Sequence, residues 1–257
     1  MKQNIIIDIG NTLIKVGVFN EDELTCKFSF KTSDKSEDEL FATMESLFKS
    51  NNVSLKYENN VLISSVVPSL NVPIKQAINA LLNPKNLIFM KGKIKTGLAL
   101  KVDNPGEVGS DLIADMVGAK EKYQYPLIVI DVGTVTKLLL LDKDGFFSSA
   151  TFMPGLIMSA ETLSNKAAQL PSISLEVPKK VVARNTQDCM NVGLLYGHAE
   201  AIKGLLELLE EEIGYKCKHI LTGGSSLYIK DIIRDEHLIY DQDLALNGMN
   251  LILRRNI

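Results

Sequence analysis

The sequence predicts an α/β fold built from two similar domains. Residues 5–20 read IIIDIGNTLIKVGVFN, and residues 128–142 read IVIDVGTVTKLLLLD. Each stretch runs from apolar residues into an Asp, a Gly and a hydroxyl residue and then into a second apolar run, which predicts a strand, a tight turn and a second strand. The two hairpins are separated by about half of the 257-residue chain. A repeat at that interval predicts a duplicated domain, divided into 1–119 and 120–257, with a last helix at about 244–257 that packs back on the first domain.

The turn of the first hairpin has the chemistry of a phosphate site. Gly10, Asn11 and Thr12 can offer backbone N–H groups, an amide and a hydroxyl to an anion. The carboxylate of Asp8 would repel phosphate, so it is better suited to anchor a hydrated Mg²⁺ ion, which needs only one or two protein oxygens. Taken alone, the stretch fits an ordinary hairpin with a polar turn equally well. The second copy favours two hairpins that grip one polyphosphate in a nucleotide cleft between the domains.

Composition restricts the classes of partner. The net charge of −3 and the pI near 5.7 give no overall attraction for nucleic acid or for an anionic membrane surface. Cys26, Cys189 and Cys217 stand far apart in a chain with three histidines, which predicts free, buried thiols and neither a zinc site nor a disulfide framework. No basic, apolar leader and no apolar run of membrane length is recognisable, so we expect a cytoplasmic protein.

A third acidic residue follows a turn-rich segment. Residues 104–109 read NPGEVG and deliver Asp111 to the start of a helical pattern. A carboxylate at a helix start is often only a cap. Because the preceding glycines let a ligand approach the backbone, a role for Asp111 in a site is at least as well supported.

The neighbouring elements fit an alternation of strands and helices. Residues 24–32 predict a third strand, which the charged segment 33–38 ends. Ser36 is placed to cap a helix that follows. Residues 61–70 predict a further strand, stopped by Pro68.

Two features of the second half are also informative. The longest helical signal, residues 181–214, carries Gly193, Gly197 and Ala201 at intervals of four, a flat stripe on which another helix can pack within the domain or across a dimer. Residues 222–225 read TGGS directly after an apolar strand. Such a strand-to-loop turn suits a nucleotide base or ribose.

The paired acidic hairpins resemble the two phosphate motifs of the actin, sugar-kinase and heat-shock ATPase superfamily, which implies two ribonuclease H-like (actin-like ATPase) domains. The whole set of motifs resembles a narrower family, the type III pantothenate kinases. In chain order these motifs are DIGNT (8–12) with Lys15, SVVP (65–68), NPGEVGSD (104–111), DVGT (131–134), MPGL (153–156), RNT (184–186) followed by Gly193, and TGG (222–224). Each motif is common alone, but the ordered set is specific.

The resemblance implies a homodimeric enzyme that transfers the γ-phosphate of ATP to the primary hydroxyl of pantothenate, the first step of coenzyme A biosynthesis, with Mg²⁺ and a monovalent cation, K⁺ or NH₄⁺. Asp111 would accept the proton of that hydroxyl, and Asp131 would bind the monovalent cation. ATP would be bound by Asp8, Ile9, Gly10, Asn11, Thr12, Lys15, Gly133, Thr134, Gly223 and Gly224. Pantothenate would be bound by Gly109, Ser110, Asp111, Leu112 and, across the dimer interface, Thr186.

Three residues depart from the family pattern. The family usually has Arg where this chain has Leu112, Tyr where it has Val102, and a second Thr where it has Lys137. Loss of an Arg that faces an anionic substrate removes a charge-assisted contact of about 1.5–3 kcal/mol, or roughly ten- to a hundredfold in affinity.

These departures leave three interpretations open: a weak pantothenate kinase, a kinase for a different small alcohol, and a non-catalytic nucleotide-binding regulatory protein. The retention of three carboxylates, Asp8, Asp111 and Asp131, favours an enzyme.

Overall fold

The computed structural model of the protein describes residues 2–33, 36–55, 57–167, 170–233, 235 and 237–257. The chain divides into two compact units. The first unit comprises Met1–Leu98, Asn104–Lys122 and Asp243–Ile257, and the second comprises Ala99–Asp103 and Tyr123–Gln242. No helix in the described part of the chain is both long enough and apolar enough to span a membrane.

Each unit is a sheet with helices. The strands are β1 (Lys2–Ile9), β2 (Leu13–Asn20), β3 (Glu23–Lys31), β4 (Glu58–Ser65), β5 (Asn86–Phe89), β6 (Ala99–Leu100), β7 (Leu127–Val132), β8 (Val135–Leu141), β9 (Phe146–Pro154), β10 (Lys218–Thr222) and β11 (Leu238–Tyr240). The helices are α1 (Glu37–Ser50), α2 (Asn71–Leu82), α3 (Ser110–Lys122), α4 (Leu156–Lys166), α5 (Thr186–Asn191), α6 (Gly197–Ile213) and α7 (Leu244–Arg254).

The first unit has a five-stranded sheet with helices on both faces. The strand order is β3-β2-β1-β4-β5, antiparallel from β3 to β1 and parallel from β1 to β5. Ile5 and Ile7 pack with α1 and α2, whereas Ile6 packs with α3 and α7. The continuous apolar run in β1 is therefore explained by burial on both faces, as is usual for a central strand of an α/β sheet.

Buried amides tie α7 to this sheet. Asn4 donates to Asn250 of α7 at 2.9 Å, Asn60 donates to Asn4 at 3.1 Å, and Asn86 donates to Asn60 at 2.8 Å. The three strand residues are register partners across β1, β4 and β5. A slip of one residue would break this chain of buried hydrogen bonds, so the amides fix the register as well as the position of α7.

The second unit has a six-stranded sheet in the order β11-β10-β7-β8-β9-β6. The hairpin β7-β8 is antiparallel, and β10 runs parallel to β7. Ile128 and Ile130 of β7 pack with α4 and α6 on one face. The alternate residues of β7, including Asp131, point to the other face.

Several predicted elements are confirmed. Both hairpins form, the third strand is β3, and Ser36 caps α1 through a capping box with Glu39. The predicted end of β3 includes Asp34 and Lys35, which lie outside the described residues.

Two expectations need correction. The strand predicted over 61–70 ends at Ser65, because Pro68 begins a short 3₁₀ helix. The thiols are free but not all buried: Cys217 is buried, Cys26 is partly buried and Cys189 on α5 is exposed.

The longest helical signal, predicted over 181–214, forms a helix only from Thr186 onwards, and this helix contains an irregularity. A π-helical segment, Val192–Tyr196, joins α5 to α6. Gly193 and Gly197 are exposed, and a Cβ at either residue would meet no described atom within 4 Å beyond the neighbouring backbone of its own helix. Within the described residues, the small-residue stripe is therefore not covered by another helix.

Candidate active site

The first hairpin places Asp8 near the end of β1. Asp8 lies opposite Lys15 on β2 and beside Ser64 on β4 in the strand register. Because side chains alternate along a strand, Asp8 shares the sheet face of Ile6, which packs with α3 and α7. Asp8 is partly buried, and Ile9, the next residue, is completely buried and belongs to the core.

The turn of this hairpin is held by hydrogen bonds to its backbone. The Gly10 N–H donates to the Leu13 carbonyl at 3.0 Å, and the Thr32 hydroxyl donates to the Gly10 carbonyl at 2.7 Å. Gly10 does not have a positive φ. Glycine suits this tight turn because a Cβ at residue 10 would lie only 3.2 Å from the Leu13 carbonyl oxygen. Asn11 and Thr12 are exposed at the tip. The turn thus presents polar groups on a fixed backbone.

Asp111 lies in the first turn of α3, close to the same strand ends. The hydroxyls of Ser110 and buried Ser64 hydrogen-bond at 2.9 Å. Because Ser64 is the β4 neighbour of Asp8, this bond ties the start of α3 to the strands next to the turn of the first hairpin. A Cβ on Gly109 would lie 2.5 Å from Asp111 Oδ1, so this glycine leaves room for the carboxylate. The first unit therefore brings Asp8 and Asp111 to one end of its sheet.

Leu112 and Val102, the two departures that the family resemblance assigns to the acceptor pocket, lie in different surroundings. Leu112 is 6% exposed and belongs to the buried part of α3. Val102 is partly buried in the second unit. An arginine side chain at position 112 would therefore begin at a buried site, and its guanidinium would have to extend outwards to meet a ligand.

The second hairpin places Asp131 directly opposite Lys137. Lys137 Nζ donates to Asp131 Oδ2 at 2.7 Å, and the exposed fractions of the two side chains are 15% and 14%. This separation is typical of a charge-assisted hydrogen bond. Lys137, one of the three residues that depart from the family pattern, is therefore in direct contact with Asp131, the predicted cation ligand.

Two glycine loops pack around this hairpin. Gly223 has φ +95°, and a Cβ there would overlap Asp131 Oδ1 and the Val132 backbone. Gly155 packs equally closely on the backbone of Gly133 and Thr134, and its N–H donates to the Thr134 carbonyl at 3.2 Å. The second unit thus gathers Asp131, the turn after it, the TGG loop and the MPG break in one place.

A buried histidine of α6 contacts the strand that follows the turn of the second hairpin. His198 Nε2 on α6 lies 2.9 Å from the hydroxyl of Thr136, which is completely buried. Burial lowers the pKa of His198, so the imidazole is neutral at physiological pH. This pair links α6 to the start of β8.

Thr186 lies elsewhere in the second unit, as the first residue of α5. It is exposed, and Asn185 caps the helix by accepting from Asp188 N at 2.8 Å. Thr186 lines a groove of about 460 Å³ with residues of α4, α5 and the π-helical segment, including Leu163, Cys189 and Gly193. The groove is mostly apolar in its lining residues.

Neither the role of Ser64 nor the contact of Lys137 with Asp131 was predicted from the sequence. The signal for Ser64 is weak, because a serine inside an apolar strand is common. The contact of Lys137 could have been predicted, because in a hairpin with a short turn the residue six positions after Asp131 is its cross-strand neighbour.

The donor set around Asp8 fits Mg²⁺. One partly buried carboxylate beside an exposed polar turn matches an ion that keeps several waters and takes phosphate oxygens as ligands. Among the described residues, no group of three or more His, Cys, Asp or Glu side chains could hold a metal. A site on Asp8 would therefore depend on water and phosphate for most of its ligands.

Comparisons with known proteins identify the family of the chain. A family model described as type III pantothenate kinase matches residues 4–208. A type III pantothenate kinase of Brevibacillus brevis is 37% identical over 98% of both chains, and one of Halalkalibacterium halodurans is 35% identical over 98% of this chain and 99% of the relative.

The fold is also similar to that of solved structures. Component A of the (R)-2-hydroxyglutaryl-CoA dehydratase of Acidaminococcus fermentans matches with a TM-score of 0.56 and 11% identity, over 99% of this chain and 97% of that one. At that identity the likeness shows the fold alone, the α/β fold of the actin-like ATPases. The two near full-length relatives and the family model show more: the chain belongs to the type III pantothenate kinase family.

Proposed function

We propose that this protein phosphorylates pantothenate on its primary hydroxyl with ATP, the first step of coenzyme A biosynthesis. The observation that carries the proposal is the hydrogen bond between Ser64 and Ser110, which ties the start of α3, with Asp111, to the strands that carry Asp8. A phosphate turn and an acceptor carboxylate at one end of a sheet are what a small-molecule kinase needs, and membership of the family supports the substrate.

In this mechanism the chain contributes mostly positioning. Asp8 would hold Mg²⁺ through water, and the turn of residues 10–12 with Lys15 would hold the phosphates of ATP. The ion, when bound, would neutralise charge on the transferred phosphoryl group. Asp111 would orient the pantothenate hydroxyl and accept its proton late in the transfer.

The second unit would bind the rest of the nucleotide. Gly133 and Thr134 would meet the phosphates, and Gly223 and Gly224 would lie against adenosine. We take residues 1–119 and 120–257 to be the two domains of the duplicated fold, with 244–257 returning to the first. The family resemblance also implies a monovalent cation on Asp131, but Lys137 already lies on that carboxylate, so we assign no step to such an ion.

Two further parts of the proposal concern the assembly and its location. We propose a homodimer in which Thr186 reaches the partner's pantothenate, supported by the uncovered stripe of Gly193 and Gly197. Sedimentation should give a dimer at micromolar concentration, and a monomer would remove Thr186 from the site. An enzyme that consumes ATP for coenzyme A synthesis would work in the cytoplasm.

The test of the function is ATP consumption measured with and without pantothenate in the presence of Mg²⁺. Turnover should depend on pantothenate, and Asp8→Asn should weaken Mg²⁺-dependent ATP binding in calorimetry. A panel of small alcohols run in parallel separates the alternatives. Turnover with another alcohol would replace pantothenate as substrate, whereas ATP binding without any turnover would support a regulatory protein.

A further inference from the structure

The ammonium of Lys137 lies on Asp131, the carboxylate to which the family resemblance assigns a free cation. Its Nζ lies 2.7 Å from Asp131 Oδ2, and both side chains are largely buried. The two residues are cross-strand partners on β7 and β8, so the backbone hydrogen bonds of the hairpin hold the pair in register. The contact is therefore a built part of the sheet and not a chance meeting of two surface chains.

The other oxygen of the carboxylate is also enclosed. The Gly223 backbone packs against Asp131 Oδ1 closely enough that a Cβ would overlap it, and a Cβ on Gly133 would lie 3.5 Å from the same oxygen. The TGG loop is held in this position because Ser225 N donates to the Val132 carbonyl at 2.8 Å. Asp131 thus has the ammonium on one oxygen and glycine backbone against the other.

This donor set does not fit a monovalent cation. An ion such as K⁺ needs several oxygen ligands. Here the most strongly charged ligand, the Asp131 carboxylate, is already paired with the ammonium of Lys137. A second cation on the same carboxylate would be repelled by the ammonium at close range in a poorly solvated site. A Thr at position 137, which is usual in the family, would leave the carboxylate uncompensated and offer an oxygen in place of a charge.

We propose that the Lys137 side chain replaces the monovalent cation, so that this kinase is independent of K⁺ and NH₄⁺. The proposal rests on the proposed function and defines its cofactor requirement. A primary ammonium carries the same charge as NH₄⁺ and three N–H donors. Because it is tethered, its local concentration is high whatever the salt in solution.

The test compares the unmodified protein with Lys137→Thr at constant ionic strength, in choline chloride, NaCl, KCl and NH₄Cl. The unmodified protein should bind Mg·ATP and turn over equally in all four salts. Lys137→Thr should lose about tenfold or more of its ATP affinity in choline chloride, the scale of a charge-assisted contact, and recover it with K⁺ or NH₄⁺. Lys143→Thr, which removes an exposed lysine from the turn after β8, is the matched control and should respond to no salt.

ATP binding by calorimetry and the thermal unfolding midpoint are measured in addition to activity. Neither measurement requires the acceptor substrate to be known. K⁺ should raise the thermal midpoint of Lys137→Thr and leave that of the unmodified protein unchanged. ATP binding or turnover of the unmodified protein that requires K⁺ would overturn the proposal, even if Lys137→Thr fails to fold. Salt-independent ATP binding without pantothenate turnover would instead overturn the proposed function and leave this inference standing.

Discussion

Gly118 of α3 and Gly248 of α7 face each other across the contact between the two helices. A Cβ on Gly248 would lie 2.8 Å from Gly118 N and overlap the Ala114 carbonyl, and a Cβ on Gly118 would lie 3.3 Å from Gly248 N and overlap the Leu244 carbonyl. The backbones can approach this closely only because neither residue has a side chain. Since α3 begins with Ser110 and Asp111, α7 helps to set the orientation of Asp111, the proposed proton acceptor.

Gly248→Ala should therefore destabilise the protein by about 1–3 kcal/mol, the usual penalty for overpacking. Gly204→Ala on α6 is the control, because a Cβ there would meet no described atom within 4 Å beyond the neighbouring backbone of α6, and alanine favours a helix. Urea denaturation should give a lower midpoint for the first variant and an equal or higher midpoint for the second. Equal midpoints would show that the α3–α7 contact relaxes without loss.

Asp111→Asn should lower kcat by about a hundredfold, because the variant loses the proton acceptor. The Kd for Mg·ATP should change little, since Asp111 is assigned to the acceptor hydroxyl. Glu107→Gln, an exposed carboxylate in the same loop, is the control and should retain full activity. A parallel loss of ATP binding would instead assign Asp111 to the nucleotide.

Leu112→Arg should lower the KM for pantothenate by about tenfold if the missing guanidinium accounts for weak acceptor binding, with no change in the KM for ATP. The same variant should be less stable, because Leu112 is buried. Leu112→Met keeps the volume without the charge and should change neither KM. An unchanged KM for pantothenate in a folded Leu112→Arg variant would remove position 112 from the pocket.

A cluster outside the site predicts loss of stability in acid. His219 lies between Asp235, at 2.5 Å from Nδ1, and Glu210, at 3.1 Å from Nε2. Burial alone would raise the pKa of Glu210, but hydrogen bonds from Lys216 and the Cys217 N–H outweigh it, so this pKa is lowered. The pKa of Asp235 is also lowered, because hydrogen bonds from His219 and the His237 N–H outweigh burial.

Carboxyl groups with a depressed folded-state pKa stabilise the protein above their unfolded pKa, near pH 4, and this contribution is lost as the pH falls through the folded value. Glu210→Gln should therefore lower stability at pH 7 and reduce its decline towards pH 3. Glu207→Gln, an exposed residue on the same helix, should leave the pH profile unchanged. The test is the urea denaturation midpoint of each variant, measured from pH 7 to pH 3. Identical pH profiles for both variants would contradict the role of the cluster.

The parts of the fold with strong local signals could be predicted from the sequence. The hairpins follow from β-branched runs that end at Asp8 and Asp131, and α1 follows from Ser36 and the apolar residues after it. The short strands β5, β6 and β11 were not predicted, because two to four residues carry no periodicity.

Contacts within the candidate site were harder to predict. Asp111 follows from its glycine-rich approach, but its link to Asp8 depends on the hydrogen bond between Ser64 and Ser110, which joins distant parts of the chain. The contact of Lys137 with Asp131 depends on the exact cross-strand register, and one residue more or less in the turn would send Lys137 to the opposite face.

The place of α7 in the first unit has a consequence for the synthesis of the protein. The sheet face around Ile6 and Leu62 is closed partly by residues of α7, such as Met249 and Ile252. At about 5–20 residues per second, the ribosome adds α7 on the order of ten seconds after α3. Until then the nascent first unit exposes an apolar sheet face, and the Asn4 amide lacks its acceptor on Asn250, so the unit reaches its final packing only when the second unit has already been translated.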